Sequence, residues 1–163
     1  MDAGEGRLLE HFDQSGITAA FLEPEYGGFI EGPKNLATSL VAFELSWVDA
    51  GAATCSLASN LALAPIHERG TPEQNAHYQR AMAPPQPGED REPMRGAFAL
   101  TEPLPFVGVD TGYMGGRITV AEWEEGKEPV LLVEKRGRFI TNMAFANYVT
   151  VAVDTGDPRI KSS

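Results

Sequence analysis

Apolar side chains recur at helical spacing through the first half of the chain. They follow one another every three or four residues after Pro33, at Leu36, Leu40, Val41, Phe43, Leu45, Trp47 and Val48. A stripe this wide predicts a helix that is buried on most of its sides. Residues 50–68 are rich in alanine, leucine and small side chains and predict a second buried helix, while residues 7–14 predict a short first one.

Local start and stop signals mark one further helix. Residues 70–74 read GTPEQ. The glycine suits the position after a helix end, the threonine suits an N-cap, the proline suits the first turn, and the glutamine completes a capping box. A third helix is therefore predicted over residues 72–82. Residues 83–90, APPQPGED, have the composition of a linker.

Beyond this linker the apolar period changes to two. Strands are predicted at residues 96–101, 117–123, 130–134 and 149–153. Helices followed by strands predict an α+β fold: an N-terminal all-α helical domain over residues 1–94, then an antiparallel β-barrel or sandwich domain over residues 95–163. The order of elements argues against a βαβ nucleotide-binding fold.

Composition narrows the class of protein. Hydrophobic residues make up 42% of the 163 residues, and 13 basic against 23 acidic residues give a net charge of −10. This acidity disfavours nucleic acid and anionic membranes as partners. No apolar stretch approaches the roughly 20 residues of a membrane span. The start of the chain lacks the pattern of a signal peptide, so a cytoplasmic protein is expected. One cysteine, and histidines without ligand spacing, predict no metal site.

Two short motifs carry the strongest functional signal. Thr101-Glu102-Pro103 ends the first predicted strand, and Phe139-Ile140-Thr141-Asn142 lies at the end of a later one. Either motif alone is typical of ordinary turn chemistry. Their order is more specific, because PEYGG, FEL, SNL, GTPEQ, FALTEP and GRFITN follow one another along the chain. This ordered set resembles the acyl-CoA dehydrogenase family of flavoproteins over about residues 21–154.

The resemblance implies that FAD lies against the β-domain. The positions that match the family's flavin contacts are Phe98, Leu100, Thr101, Phe139 and Thr141. In this match Leu100 offers backbone contacts and Thr101 its hydroxyl to the pyrimidine side of the ring. Phe139 takes the place of an aromatic residue that packs on the flavin, and Thr141 hydrogen-bonds near the reactive N5. Hydroxyls and amides stabilise charge on a reduced flavin without adding a competing base.

The turn after Pro103 departs from the family pattern. It is about two residues longer than the usual Gly-Ser-Asp turn, and Val109 stands where the family has serine. The match still implies substrate contacts for Gly108 and Val109, with phosphate held through backbone N–H groups. The alternative is a reshaped acyl pocket for an unusual substrate.

The activity implied by the resemblance is FAD-dependent α,β-dehydrogenation of an acyl-CoA thioester. Electrons would pass to an electron-transferring flavoprotein, and the full protein would be a homodimer or homotetramer. The family's C-terminal helical bundle, which supplies the catalytic carboxylate, has no counterpart here. The chain is therefore expected to be an inactive piece that carries no catalytic residue, with Glu102 bound within its motif. Apolar helix faces left uncovered predict self-association.

Two alternatives stay open. A non-catalytic binding or scaffold protein would keep the fold without the chemistry. An acyl-CoA oxidase or flavin monooxygenase would keep the flavin and change the reaction. A carboxylate in the downstream helical bundle would favour dehydrogenation or oxidation, and the visible spectrum of the full protein with FAD and acyl-CoA distinguishes an enzyme from a scaffold.

Overall fold

Helices precede strands in the order that the apolar pattern predicts. The computed structural model describes residues 3–105 and 113–160. The helices are α1 (Ala3–Ser15), α2 (Lys34–Arg69) and α3 (Pro72–Met82), with a one-turn 3₁₀ helix at Pro24–Tyr26. The strands are β1 (Gly96–Ala99), β2 (Arg117–Glu122), β3 (Val130–Glu134) and β4 (Tyr148–Val151). The N-terminal helical part of the predicted α+β fold is confirmed.

Helix α2 is interrupted at Asp49, which separates the two helices predicted at this place. Asp49 has an extended backbone (φ −157°, ψ 108°). Its Oδ1 accepts a hydrogen bond from the N–H of Ala52 at 2.9 Å. A side chain that accepts from the backbone three residues later is the geometry of an N-cap. Asp49 therefore ends residues 34–48 and starts residues 50–69.

Helix α3 has the predicted bounds because its cap forms as the sequence indicates. The hydroxyl of Thr71 accepts from the N–H of Gln74 at 3.2 Å, and the amide oxygen of Gln74 accepts from the N–H of Thr71 at 2.9 Å. Gly70 is required because its backbone lies close to the Ile66 carbonyl. It is not required for a left-handed turn, since its φ is −71°. A Cβ atom there would lie 2.5 Å from the Ile66 carbonyl oxygen.

The core of the helical part is small. One cluster of buried apolar residues comprises Ala19, Leu22, Leu63, Met82 and Ala83, with Tyr26, Ile66, Tyr78 and Tyr148 packed against it. The buried face of residues 50–69 is formed by small side chains, namely Ala53, Ser56, Ala58, Ser59 and Ala62, together with Leu63. Small side chains let neighbouring backbones approach closely, as predicted for this helix.

Burial of residues 34–48 on most sides is a wrong prediction. The exposed fractions are 58% for Leu36 and Leu40, 61% for Phe43, 77% for Trp47 and 90% for Val48. An apolar stripe indicates which face avoids water but not which element covers it. No element among residues 3–105 and 113–160 buries this face.

The strands form two separate two-stranded sheets, β1 with β4 and β2 with β3. The β2–β3 pair is antiparallel, with Ile118 opposite Val133 and Val120 opposite Leu131. All five residues of β3 are exposed. The described strands form these two pairs and no larger sheet, so the predicted barrel or sandwich stays a prediction.

The chain divides into two compact units. The helical unit comprises Met1–Ala97 and Thr141–Thr150, and the strand unit comprises Phe98–Ile140 and Val151–Ser163. Strands β1 and β4 each run from one unit into the other. The predicted domain boundaries, residues 1–94 and 95–163, stay a prediction.

Helix α2 is long and apolar enough to cross a membrane by length and composition, with a window of mean hydropathy 1.2. This is weak evidence, because core helices of water-soluble proteins meet the same criteria. The break at Asp49 also places a carboxylate in the middle of the helix.

Candidate functional site

The Thr101-Glu102-Pro103 motif leaves the end of β1 inside the strand unit. Leu100 and Thr101 are half-buried, as is Phe98 within the strand. The N–H of Leu100 donates to the Phe98 carbonyl at 3.1 Å, and the Thr101 carbonyl accepts from the N–H of Arg138 at 3.0 Å. The strand end therefore meets the segment that leads into the second motif.

Glu102 is one of the most buried charged residues of the described chain, with 4% exposure. Its carboxylate accepts hydrogen bonds from the N–H groups of Gly115 at 2.6 Å and Gly116 at 2.8 Å. A third comes from Nζ of Lys135 at 2.6 Å. Burial alone would raise the pKa of Glu102, but the Lys135 bond and the two amide bonds outweigh burial and lower the pKa. A carboxylate this well satisfied is a weak base, which agrees with its expected structural role.

Lys135 is the cation that satisfies Glu102, and sequence reasoning missed it. Its side chain is 7% exposed. Its three ammonium hydrogens match three acceptors: the Leu100 carbonyl at 3.0 Å, Glu102 Oε1 at 2.6 Å and the Ala152 carbonyl at 2.8 Å. A buried carboxylate requires a cation, which was the available signal. The sequence offers Lys135, Arg136 and Arg138 close together and does not choose among them.

Gly116 makes room for this ion pair. A Cβ atom at Gly116 would lie 2.6 Å from Cδ of Lys135 and 3.0 Å from Oε1 of Glu102. The glycine also donates its N–H to Glu102. The glycine-rich segment before β2 therefore serves close packing around two buried charges.

Phe139 begins the second motif with its ring in solvent. The ring is 79% exposed. Its backbone is left-handed (φ 57°), which is uncommon for a bulky residue. The guanidinium carbon of Arg138 lies 4.4 Å from the ring centroid, within range of a cation–π contact. One face of an exposed aromatic ring thus carries a cation.

Asn142, in the helical unit, ends the same motif with a buried side chain. It is 5% exposed and has a left-handed backbone (φ 66°). Its Nδ2 donates to the Cys55 carbonyl on α2 at 2.8 Å, and its buried Oδ1 has no partner among the described residues. Asn142 therefore anchors the residue before it, Thr141, to α2.

The structure distributes the predicted site residues between the two units. Phe98, Leu100, Thr101 and Phe139 lie in the strand unit, and Thr141 lies in the helical unit. Gly108 and Val109 lie outside the described residues. Within residues 3–105 and 113–160, neither the Thr101 hydroxyl nor the Thr141 hydroxyl has a hydrogen-bond partner.

The donor set fits the flavin that the resemblance implies. In the strand unit, the Thr101 hydroxyl, unpartnered among the described residues, can donate to a carbonyl oxygen or ring nitrogen of an isoalloxazine, and the exposed Phe139 ring can pack on its face. In the described part of the chain, no group of three histidine, cysteine, aspartate or glutamate side chains is placed to hold a metal ion.

Comparison with known proteins supplies the family. The family description "Acyl-CoA dehydrogenase, N-terminal domain" matches residues 2–84, just over half of the chain. No curated protein matches the chain. The matched residues contain all three helices and the capping box of α3. The chain belongs to the acyl-CoA dehydrogenase family.

Proposed function

We propose that this protein is part of an FAD-dependent oxidoreductase that dehydrogenates an acyl-CoA thioester between its α and β carbons. Members of the family are generally oxidoreductases that use FAD. The observation that carries the proposal is the end of β1. There Lys135 bonds to the Leu100 carbonyl and to the Glu102 carboxylate, on either side of Thr101, while the Thr101 hydroxyl has no partner among the described residues.

The exposed Phe139 ring and the threonine hydroxyls support the roles that the family pattern gives them, whereas the Leu100 N–H would exchange its bond to the Phe98 carbonyl for one to the flavin. In the strand unit, the Leu100 backbone and the Thr101 hydroxyl would bond to the pyrimidine side of the ring, with Phe98 behind them. Phe139 would cover one ring face and exclude water. In the helical unit, the Thr141 hydroxyl would donate near N5. When bound, FAD supplies the two-electron acceptor that the side chains of this protein lack.

The thioester side of the site is proposed from the family pattern. Backbone N–H groups at Gly108 and Val109 would hold substrate. The bulk of Val109, in place of a hydroxyl, would select the acyl group by shape. No carboxylate of this chain is assigned as the base that removes the α-proton, and Glu102 is excluded because its oxygens are already bound.

The proposal also includes an electron acceptor, an oligomeric state and a cellular location. The electron acceptor after each turnover would be an electron-transferring flavoprotein, and the full protein would be a homo-oligomer in the cytoplasm. The strands of residues 95–163 would belong to an antiparallel barrel or sandwich that supports the flavin.

The test is a visible absorption spectrum of the purified protein loaded with FAD, followed by anaerobic addition of a panel of acyl-CoA thioesters. Bleaching by one thioester in the full protein supports dehydrogenation and identifies the substrate class. For the 163-residue chain, which has no assigned base, we expect a thioester-dependent shift of the flavin spectrum without bleaching. Protein that gains no flavin spectrum contradicts the enzyme proposal and favours a scaffold. Rapid reoxidation by oxygen favours an oxidase.

A further inference from the structure

Lys135 contacts the residues on both sides of Thr101. Its Nζ donates to the carbonyl of Leu100 at 3.0 Å and to the carboxylate of Glu102 at 2.6 Å. A third bond, to the Ala152 carbonyl at 2.8 Å, ties the same ammonium group to the chain beyond β4. All three acceptors lie far from Lys135 in sequence, so the lysine joins segments that local structure does not hold together.

Thr101 is also held through its own backbone. Its carbonyl accepts from the N–H of Arg138, three residues after Lys135. The segment that follows β3 therefore bonds to the backbone at Leu100 and Thr101 and to the side chain of Glu102. Because the backbone is held here, the Cα–Cβ bond of Thr101 has one defined direction.

A buried ion pair often stabilises a protein less than apolar residues of similar volume would. Removing two charges from water carries a large desolvation cost, and well-packed apolar residues often stabilise as well or better. An apolar side chain in place of Lys135 would make no hydrogen bond to the Leu100 and Ala152 carbonyls. Directional bonds of this kind fix orientation, which apolar packing does only loosely.

We propose that Lys135 is a positioning residue for FAD, because it holds the Leu100 carbonyl and the Glu102 carboxylate on either side of Thr101 and so orients the Thr101 hydroxyl. This inference rests on the proposed function. Its three ammonium hydrogens are taken by protein acceptors, so Lys135 would act through Thr101 and not by contacting the cofactor.

A double-mutant cycle on the 163-residue chain tests the proposal. The variants are Lys135→Met, Thr101→Val and the two together, and the readouts are the FAD dissociation constant and the absorption spectrum of bound flavin. We expect each single variant to weaken FAD binding about ten-fold, the scale of one lost hydrogen bond. The double variant should be within about two-fold of the weaker single variant, because Lys135 acts through Thr101. Full multiplication of the two effects, or no effect of Lys135→Met, would overturn the proposal.

The experiment includes a matched control variant and a second variant for the case that Lys135→Met does not fold. Lys127 pairs with Glu124 at 2.7 Å in an exposed ion pair, so Lys127→Met should leave FAD binding unchanged. If Lys135→Met does not fold, Lys135→Met with Glu102→Gln removes the uncompensated buried charge and is used in its place.

A readout without FAD separates this proposal from the proposed function. The side-chain scalar couplings of Thr101 report whether its χ1 angle occupies one rotamer or several. We expect one rotamer in the wild type and in Lys127→Met, and averaging in Lys135→Met, whether or not the chain binds FAD. A wild type that binds no FAD but shows this difference contradicts the proposed function and supports only the orienting effect of Lys135 on Thr101. Unchanged couplings in Lys135→Met overturn the positioning role.

Discussion

Nζ of Lys135 lies 2.6 Å from Oε1 of Glu102, and the two side chains are 7% and 5% exposed. The pair joins the residue after β3 to the residue that follows Thr101. Two glycine amides complete the coordination of the carboxylate, and two carbonyls complete that of the ammonium group. The strand unit thus contains a fully satisfied polar centre beside a predicted cofactor contact.

Loss of one member of this pair should be costly. Glu102→Gln leaves the Lys135 charge buried without a counter-ion, and we expect a loss of about 3–5 kcal/mol in the free energy of unfolding. The double variant Glu102→Gln, Lys135→Met should lose less, because no buried charge remains. Denaturant unfolding measures both values. Lys127→Met, at an exposed pair, should cost no more than about 1 kcal/mol. A double variant no more stable than Glu102→Gln would contradict this account.

The pair also makes stability depend on pH. The pKa of Glu102 in the folded chain lies below its ordinary value of 4.5, chiefly because the Lys135 and amide bonds outweigh the effect of burial. Its contribution is therefore fully present above about pH 4.5 and is lost as the pH falls through the lower folded value. The difference in unfolding free energy between the wild type and Glu102→Gln should be constant near neutrality and shrink below pH 4.5.

This pH dependence is measured as the difference in unfolding free energy between the wild type and Glu102→Gln. Asp157 also has a lowered pKa, because of hydrogen bonds from Arg159, and it affects both proteins equally. Parallel stability curves for the wild type and Glu102→Gln from neutral to acid pH would show that Glu102 does not titrate as described.

Asn142 combines a left-handed backbone with a buried side chain, and two substitutions separate these features. Asn142→Gly removes the bond to the Cys55 carbonyl but keeps the left-handed backbone at low cost. Asn142→Ala loses the same bond and also adopts a strained backbone. We expect Asn142→Ala to be less stable than Asn142→Gly by about 1–2 kcal/mol in thermal unfolding. Equal stability would indicate that the positive φ carries no strain.

The exposed stripe of α2 predicts self-association. Trp47 is 77% exposed and packs edge-on against Phe43, with ring centroids 6.1 Å apart. Trp47→Gln should change the unfolding free energy by no more than about 0.5 kcal/mol and should lower the average mass in sedimentation velocity experiments. Leu63→Ala, in the core, should instead cost about 2–5 kcal/mol. A wild type that sediments as a single monomer would contradict the prediction.

Local sequence signals predicted the first and last residues of some elements. Helix α3 has its predicted bounds because Thr71 and Gln74 form their cap within one turn. Strand β3 has its predicted bounds because its apolar run is short and flanked by polar residues. The order of motifs indicated the family, which the match over residues 2–84 then showed.

Contacts between residues far apart in the chain could not be predicted from the sequence. Lys135 meets Glu102 across 33 positions, and nothing in its neighbourhood distinguishes it from Arg136 or Arg138. The exposure of Trp47 was missed for a related reason, since helical periodicity identifies an apolar face but not its cover. Gly108 and Val109 lie outside the described residues, so their roles stay predictions.

The most direct test of the central claim is an equilibrium titration of the wild-type chain with FAD, followed by quenching of flavin fluorescence. The account predicts saturable binding that Thr101→Val and Thr141→Val each weaken about ten-fold, the scale of one lost hydrogen bond. Thr119→Val, at an exposed position of β2, should bind as the wild type does. Absence of saturable binding, or equal affinity in all four proteins, would contradict the claim that these threonines hold the flavin.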